Sequence, residues 1–164
     1  MMSNVAYLFG KAGEFLCGGE LLRPLSGSRY LFDVYFLGGN APTFDYIVYL
    51  LDEGGRRTGH FFFLQVKTTA RTARSRTGYP IRFSAADIRR AQATKVPFFI
   101  CVVDCSAGRR AKFFIKGLES TRTRAIATLS PDHDLETDAV KLDLYREVTR
   151  LWARRRVPAL KRLI

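Results

Sequence analysis

Two apolar, aromatic-rich runs, FDYIVYLL at 44–51 and HFFFLQVK at 60–67, are separated by DEGGRRTG and constrain the fold of this chain more than any other feature. β-Branched and aromatic residues on either side of a Gly-rich connection predict an antiparallel hairpin with a loop longer than the tightest turns. Side chains along a strand alternate between faces, so Gln65 and Lys67 point one way and Val66 the other. Two polar groups on one face of a strand built for burial need a purpose. If the hairpin is symmetric about Arg56, Asp45 lies opposite Lys67 and Ile47 opposite Gln65, which puts Asp45, Gln65 and Lys67 on one face. A one-residue slip would scatter them to opposite sides of the sheet.

The remaining elements follow from period and punctuation. Residues 8 to 23 predict a helix whose stripe of Leu8, Ala12, Phe15, Leu16, Gly19 and Leu22 faces a core. Glu14 lies off that stripe, with Gly10, Cys17 and Leu21 as its helical neighbours, so it also looks inward. A carboxylate on a close-packed side is costly unless something pairs with it. RYLFDVYF at 29–36 predicts a strand, and GGNAP at 38–42 a turn. ARTARSRTGYP at 70–80 alternates Arg with small polar residues and reads as a basic loop outside the core. Ser84 opens SAAD, a capping box with Asp87, which starts a helix through about Thr94. FFICVVD at 98–104 has the continuous apolar character of a strand buried on both faces, and AKFFIKGL at 111–118 predicts another. Residues 119–137 are polar and show no period; the DHDLE stretch within them, 132–136, reads as a solvated loop. Val140, Leu144, Val148, Leu151 and Trp152 mark an amphipathic helix from about Asp138 to Arg156. Together these predict one α/β (α+β) domain, a mixed sheet flanked by helices, with residues 1–137 as its core and 138–164 as a C-terminal helix and basic tail on the same domain.

Charge is the informative bulk property. The chain of 164 residues carries 27 Lys plus Arg against 15 Asp plus Glu, a formal +12, and such a surface seeks polyanions. Nucleic acid is the expected partner, because neutralising phosphates releases condensed counterions. The opening MMSNVAYLFGKAGEF lacks the parts of a signal peptide and no run approaches membrane-spanning length, so no membrane association and a cytoplasmic location are expected. Cys17, Cys101 and Cys105 have neither disulfide-framework nor zinc-site spacing and read as reduced thiols.

An acid, an amide and an ammonium on one face have a use in cutting phosphodiesters. Asp45 offers a hard anionic oxygen for Mg²⁺ (or Mn²⁺), the Gln65 side-chain carbonyl a second, and the Val66 main-chain carbonyl a third. Lys67 can orient the attacking water, help it lose a proton, or offset charge that builds on the phosphate. Glu14, if its helix packs beside the hairpin, completes an acidic wall, through a water on the ion or at a second ion. Arg71, Arg74 and Arg76 leave directly from the strand of Lys67 and, with Arg89 and Arg90, are candidates to grip a nucleic-acid backbone.

Across GKAGEFLCGGELL, GGNAPTFDYIVYL and FFFLQVKTT, followed by the helix from Ser84 and the strand FFICVVD, the chain resembles the PD-(D/E)XK, or restriction-endonuclease-like, nuclease superfamily over roughly its first two thirds. The resemblance implies a helix Glu at Glu14, a metal-binding Asp at Asp45, and the (D/E)-x-K pair at Gln65 and Lys67. GNAP…D…QVKTT is especially similar to a bacterial branch whose members occur alone or fused to other modules, several in phage-defence settings. Gln65 stands where the family usually has a second acid, as in the QxK forms of Mrr-type restriction enzymes. The implied activity is a metal-dependent endonuclease of low sequence preference, acting on DNA, with RNA as the alternative substrate, in defence or repair. Nucleic-acid structure, strand state or a partner protein would supply selectivity, and a homodimer would serve to cut both strands. The competing expectations are a catalytically silent nucleic-acid-binding module of the same fold and a basic adaptor subunit.

Overall fold

A strand without a polar face has to sit where both sides are covered, and Phe98–Asp104 is buried at every position. The computed structural model describes residues 4–38, 43–70, 78–106 and 110–154. In chain order these form α1 (Asn4–Leu22), β1 (Phe32–Phe36), β2 (Tyr46–Leu51), β3 (Arg57–Thr69), β4 (Tyr79–Phe83), α2 (Ala85–Ala93), β5 (Phe98–Asp104), β6 (Lys112–Gly117), β7 (Ile126–Leu129) and α3 (Asp138–Ala153). The protein is a mixed α+β domain, with a five-stranded sheet in the order β1-β2-β3-β5-β6 and a two-stranded sheet of β4 and β7. β1, β2 and β3 run as an antiparallel meander; β3 and β5 are parallel, which requires the crossover that carries α2.

The alternation along β3 sorts the molecule into layers. Leu64 and Val66, with Cys101 and Val103 of β5, pack under Cys17 and Leu21 of α1 and Leu144 and Val148 of α3. Ile100 and Val102 face the other way, onto Ile88 and Ala91 of α2 and Phe83 and Leu129 of the small sheet. The capping box expected at Ser84 and Asp87 is formed and starts α2. Among the described residues, no helix is long and apolar enough to cross a membrane.

Three expectations need correction. The stripe of Leu8, Phe15, Leu16 and Leu22 does not face the core but is exposed, and the buried side of α1 is Gly13, Cys17, Gly18 and Leu21. Small residues won because α1 lies almost on the sheet: a Cβ at Gly13 would stand 1.9 Å from Thr68 Oγ1, and one at Gly18 2.9 Å from the Tyr46 hydroxyl. The predicted loop at 70–80 ends in a strand, since Tyr79 opens β4 and is buried against Phe114. Its partner β7 comes from the stretch without period, as does Leu135 of DHDLE, which is fully buried while Asp134 bridges to Phe114. The DHDLE stretch is therefore docked on β6 through Asp134 and Leu135, while Asp132 and His133 remain exposed. Each of these short segments buries only one or two side chains, Tyr79 and Phe83, Ile126 and Leu129, and Leu135, and acquires its place from a neighbour.

The close approach of α1 gives a testable consequence. Gly13→Ala should gain about 1 kcal/mol of helix propensity yet lower stability by a net ~1–3 kcal/mol through overpacking. Thermal denaturation reads this directly, and Thr68→Ala, which removes the two nearest clashing atoms and leaves Cβ at 2.8 Å, should recover part of the loss.

Candidate functional site

β3 outruns β2. The last paired residues on that side are Tyr46 and Leu64, and the Asp45 N–H donates to Leu64 O at 2.8 Å. Main-chain polar groups alternate direction along a strand: Phe63 N–H and Thr69 O bond toward the β5 side, so residues 64 and 66 point toward β2. Val66 thus projects its N–H and C=O past the start of β2, where none of the described strands answers them. Asp45 fills the gap. Its Oδ2 accepts from Val66 N at 2.7 Å and from Gln65 Nε2 at 2.6 Å, and the same Nε2 lies 3.3 Å from Val66 O.

The register differs from the one expected. Tyr46 to Tyr49 pair with Leu64 to Phe61, and Leu51 pairs with Arg57 across an irregularity. Continuing the pairing by one residue puts Asp45 opposite Gln65, not Lys67. The shift from the symmetric hairpin is two residues, which preserves the face, whereas one residue would have destroyed the grouping. Lys67 remains on the side of Asp45 and Gln65, beside Val102, and its charge acts on both Asp45 and Asp87 of α2.

Glu14 arrives from the other layer. Its side chain is 19% exposed and paired with Lys11 at 3.0 Å, and its main-chain carbonyl accepts from the Tyr46 hydroxyl at 2.8 Å. That bond ties α1 to the first residue of β2, next to Asp45. Burial lifts the Asp45 carboxyl to about 6 and the negative Glu14 adds to this; the Val66 N–H and the positive Lys67 and Lys11 pull it down. Glu14, Asp45, Gln65, Val66 and Lys67 therefore share one electrostatic neighbourhood, built from α1, the start of β2 and the end of β3.

Lys11 is the residue that sequence reasoning missed. It pairs with Glu14, feels Asp45, and sits 4.4 Å from the centre of the Phe36 ring. Its spacing of three from Glu14 on a helix was the available signal. Asp87 was noticed only as a cap. It serves as one, and its capping bonds with Ser84 hold its carboxyl below the usual range, with Lys67 as a further cause. Arg89 and Arg90 lie exposed on α2, with Arg90 3.5 Å from Asp87, while Arg71, Arg74 and Arg76 fall outside the described residues. Cys17 and Cys101 are buried free thiols, and Cys105 is a half-buried one.

No group of three or more His, Cys, Asp or Glu side chains is arranged to hold a metal among the described residues. The set at the start of β2 has a different make-up: carboxylate, amide oxygen and main-chain carbonyl, with a second carboxylate behind. Hard oxygens of this kind suit Mg²⁺ or Mn²⁺. The fit is supported by Asp45, a carboxylate made uncomfortable by burial, and by the Val66 carbonyl, which lies 3.3 Å from the same Gln65 Nε2 that donates to Asp45. Rotation of the Gln65 amide exchanges the donating Nε2 for an accepting Oε1 at the same position. Compared with protein-family models, with curated proteins and with solved structures, the chain matches none.

Proposed function

We propose that this protein is a Mg²⁺- or Mn²⁺-dependent nuclease that hydrolyses backbone phosphodiesters of DNA, with the restriction-endonuclease-like arrangement as its fold. The observation that carries the reading is the gathering of Asp45, Gln65 and the Val66 main chain at the start of β2, with Lys67 on the same face. The order of α1, the β1–β2–β3 meander, α2 and the parallel β5 supports the same reading, since it is the order the resemblance implies. The formal +12 supplies affinity for a polyanion.

Asp45, the Val66 carbonyl and a rotated Gln65 amide would hold the ion, with Glu14 behind them. The bound ion supplies Lewis-acid polarisation of the phosphate and eases deprotonation of water. In the reaction a water oxygen bonds to phosphorus, one P–O ester bond breaks, and the departing oxygen takes up a proton. Lys67 orients the water and offsets charge that accumulates on the phosphate. Arg89 and Arg90, exposed on the α2 side that Lys67 faces, contact backbone phosphates, which position a substrate without reading its sequence.

One observation favours a silent binding module: the Gln65 amide already donates to Asp45, an arrangement that is stable without a cation. A single assay separates the two. Duplex and single-stranded DNA, and RNA, are incubated with the protein in Mg²⁺ or Mn²⁺ and with chelator. The nuclease cleaves DNA only with the ion, and Lys67→Ala lowers the rate on the order of a hundredfold or more while salt-sensitive binding persists. Binding without cleavage by the unmodified protein under every ion condition would sink the proposal.

A further inference from the structure

The corrected orientation of α1 leaves an unusual helix face in solvent. Val5, Leu8, Ala12, Phe15, Gly19 and Leu22 recur at steps of 3, 4, 3, 4 and 3, the strict heptad spacing of a helix that packs along another helix. None is covered: Val5 is 75% exposed, Leu8 63%, Phe15 64% and Leu22 44%, and a Cβ at Gly19 would meet no atom within 4 Å. Leu16 and Phe9 widen the stripe on one side, and the Phe36 ring of the edge strand β1 lies 5.6 Å from Phe15. The opposite side of the helix is already buried in the fold. Apolar surface of this extent marks an interaction site.

We infer that α1 pairs antiparallel with α1 of a second copy of this chain, about a two-fold axis that crosses the helices between Ala12 and Phe15. The argument is one of size. In an antiparallel pair whose opposed residue numbers sum to 27, Phe15 meets Ala12, Leu8 meets Gly19 and Val5 meets Leu22, so each of the two small residues receives a large side chain. Both copies are satisfied by the same contacts, as an isologous interface demands. A parallel pair would instead stack Phe15 on Phe15 and leave Ala12 and Gly19 facing holes. Helix dipoles also oppose favourably only in the antiparallel sense.

Charge selects the same surface. Two molecules of +12 repel wherever Lys and Arg are dense, but α1 holds one Lys and two Glu, all three ion-paired within their own chain, and none lies on the stripe. A partner of opposite charge would find nothing to pair with there; an identical neutral stripe fits. At 1.5 Å per residue the helix offers a seam about 28 Å long. Because Glu14 and Lys11 ride on this helix, pairing would also brace one wall of the site described above, although the inference rests on the stripe and not on that site's activity.

Sedimentation equilibrium at high salt, over micromolar concentrations, should give a mass twice 18.6 kDa. Gly19→Leu should weaken association about tenfold or more without lowering helix content or melting temperature, because the added side chain has open space in the single chain and none opposite Leu8. In a Cys105→Ser background, a mixture of Leu8→Cys and Gly19→Cys chains should be joined by a short bismaleimide. Leu8→Cys alone should not, its two copies being offset by about 16 Å along the axis. A monomer at every concentration, a dimer indifferent to Gly19→Leu, or efficient joining of Leu8→Cys to itself would each overturn the inference.

Discussion

Asp45→Asn should make the protein more stable at pH 7 and, at the same time, inactive. The wild-type carboxyl has its folded-state value lifted to about 6 by burial, against roughly 3.9 in an unfolded chain. Below about pH 4 both states hold the proton and the group contributes no difference. Between about 4 and 6 the folded state keeps a proton that the unfolded state has lost, so unfolding free energy falls as pH rises through that window. Above 6 the penalty is complete. Two units correspond to about 3 kcal/mol, which solvent screening of a partly accessible group reduces to ~1–2 kcal/mol. Asn removes the charge while its carbonyl can still accept from Val66 N. Chemical denaturation at pH 4 and pH 7 should show the variant free of this drop. Mg²⁺ should raise the melting temperature of the wild type, through binding to the folded state alone, and leave Asp45→Asn unmoved. Cleavage should fall on the order of a hundredfold or more. Loss of stability in the variant at pH 7, or an equal Mg²⁺ response in both proteins, would contradict the assigned role of Asp45.

Lys141→Ala should damage the fold as severely as truncating a core aromatic, at about 3–5 kcal/mol. The Lys141 side chain is 1% exposed and spends all three of its protons: on Glu20 Oε1 at 2.9 Å, on the Glu20 carbonyl at 2.6 Å and on the Arg23 carbonyl at 3.1 Å. It therefore clamps α3 to the C-terminal end of α1, where a cation also meets the negative end of the helix dipole. Burial pulls its pKa down and Glu20 pushes it back up. Truncation leaves Glu20 with Arg23 as its remaining cation, strands the Arg23 carbonyl, and leaves the Glu20 carbonyl with the Arg23 N–H alone. Urea unfolding should show a lower midpoint at unchanged slope. Lys141→Met with Glu20→Gln should recover part of the loss, because the carboxylate left with a single exposed cation is then gone while the Arg23 carbonyl still lacks a donor. A cost below about 1 kcal/mol, the level of a surface pair, would show that the clamp carries no weight.

Lys141 also illustrates what a sequence hides. It stands in the first turn of a helix whose apolar stripe is readable from Val140, Leu144 and Val148, yet nothing in the period says that the lysine beside them reaches two carbonyls at the C-terminal end of α1. α1 shows the complementary failure. Its exposed seam carries more large apolar residues than the buried face, which is made of Gly13, Cys17, Gly18 and a single large side chain, Leu21. A pattern rule that weighs hydrophobicity cannot recognise a face chosen for thinness.

What followed from the residues alone was the set of elements with strong local character: the hairpin strands, the fully apolar β5, the capped α2, and the inward turn of Glu14. Alternation along β3 was enough to put Gln65 and Lys67 together, because the pleat has a period of two whatever surrounds it. Tertiary structure decided the rest. The hairpin register, the late start of β2 that lets Asp45 reach the Val66 main chain, the nearness of Lys11, and the pairing of β4 with β7 all depend on contacts between segments far apart in the chain. Local propensity extends over a few residues, whereas these choices are made by packing area and by the need of each buried N–H and C=O to find a partner.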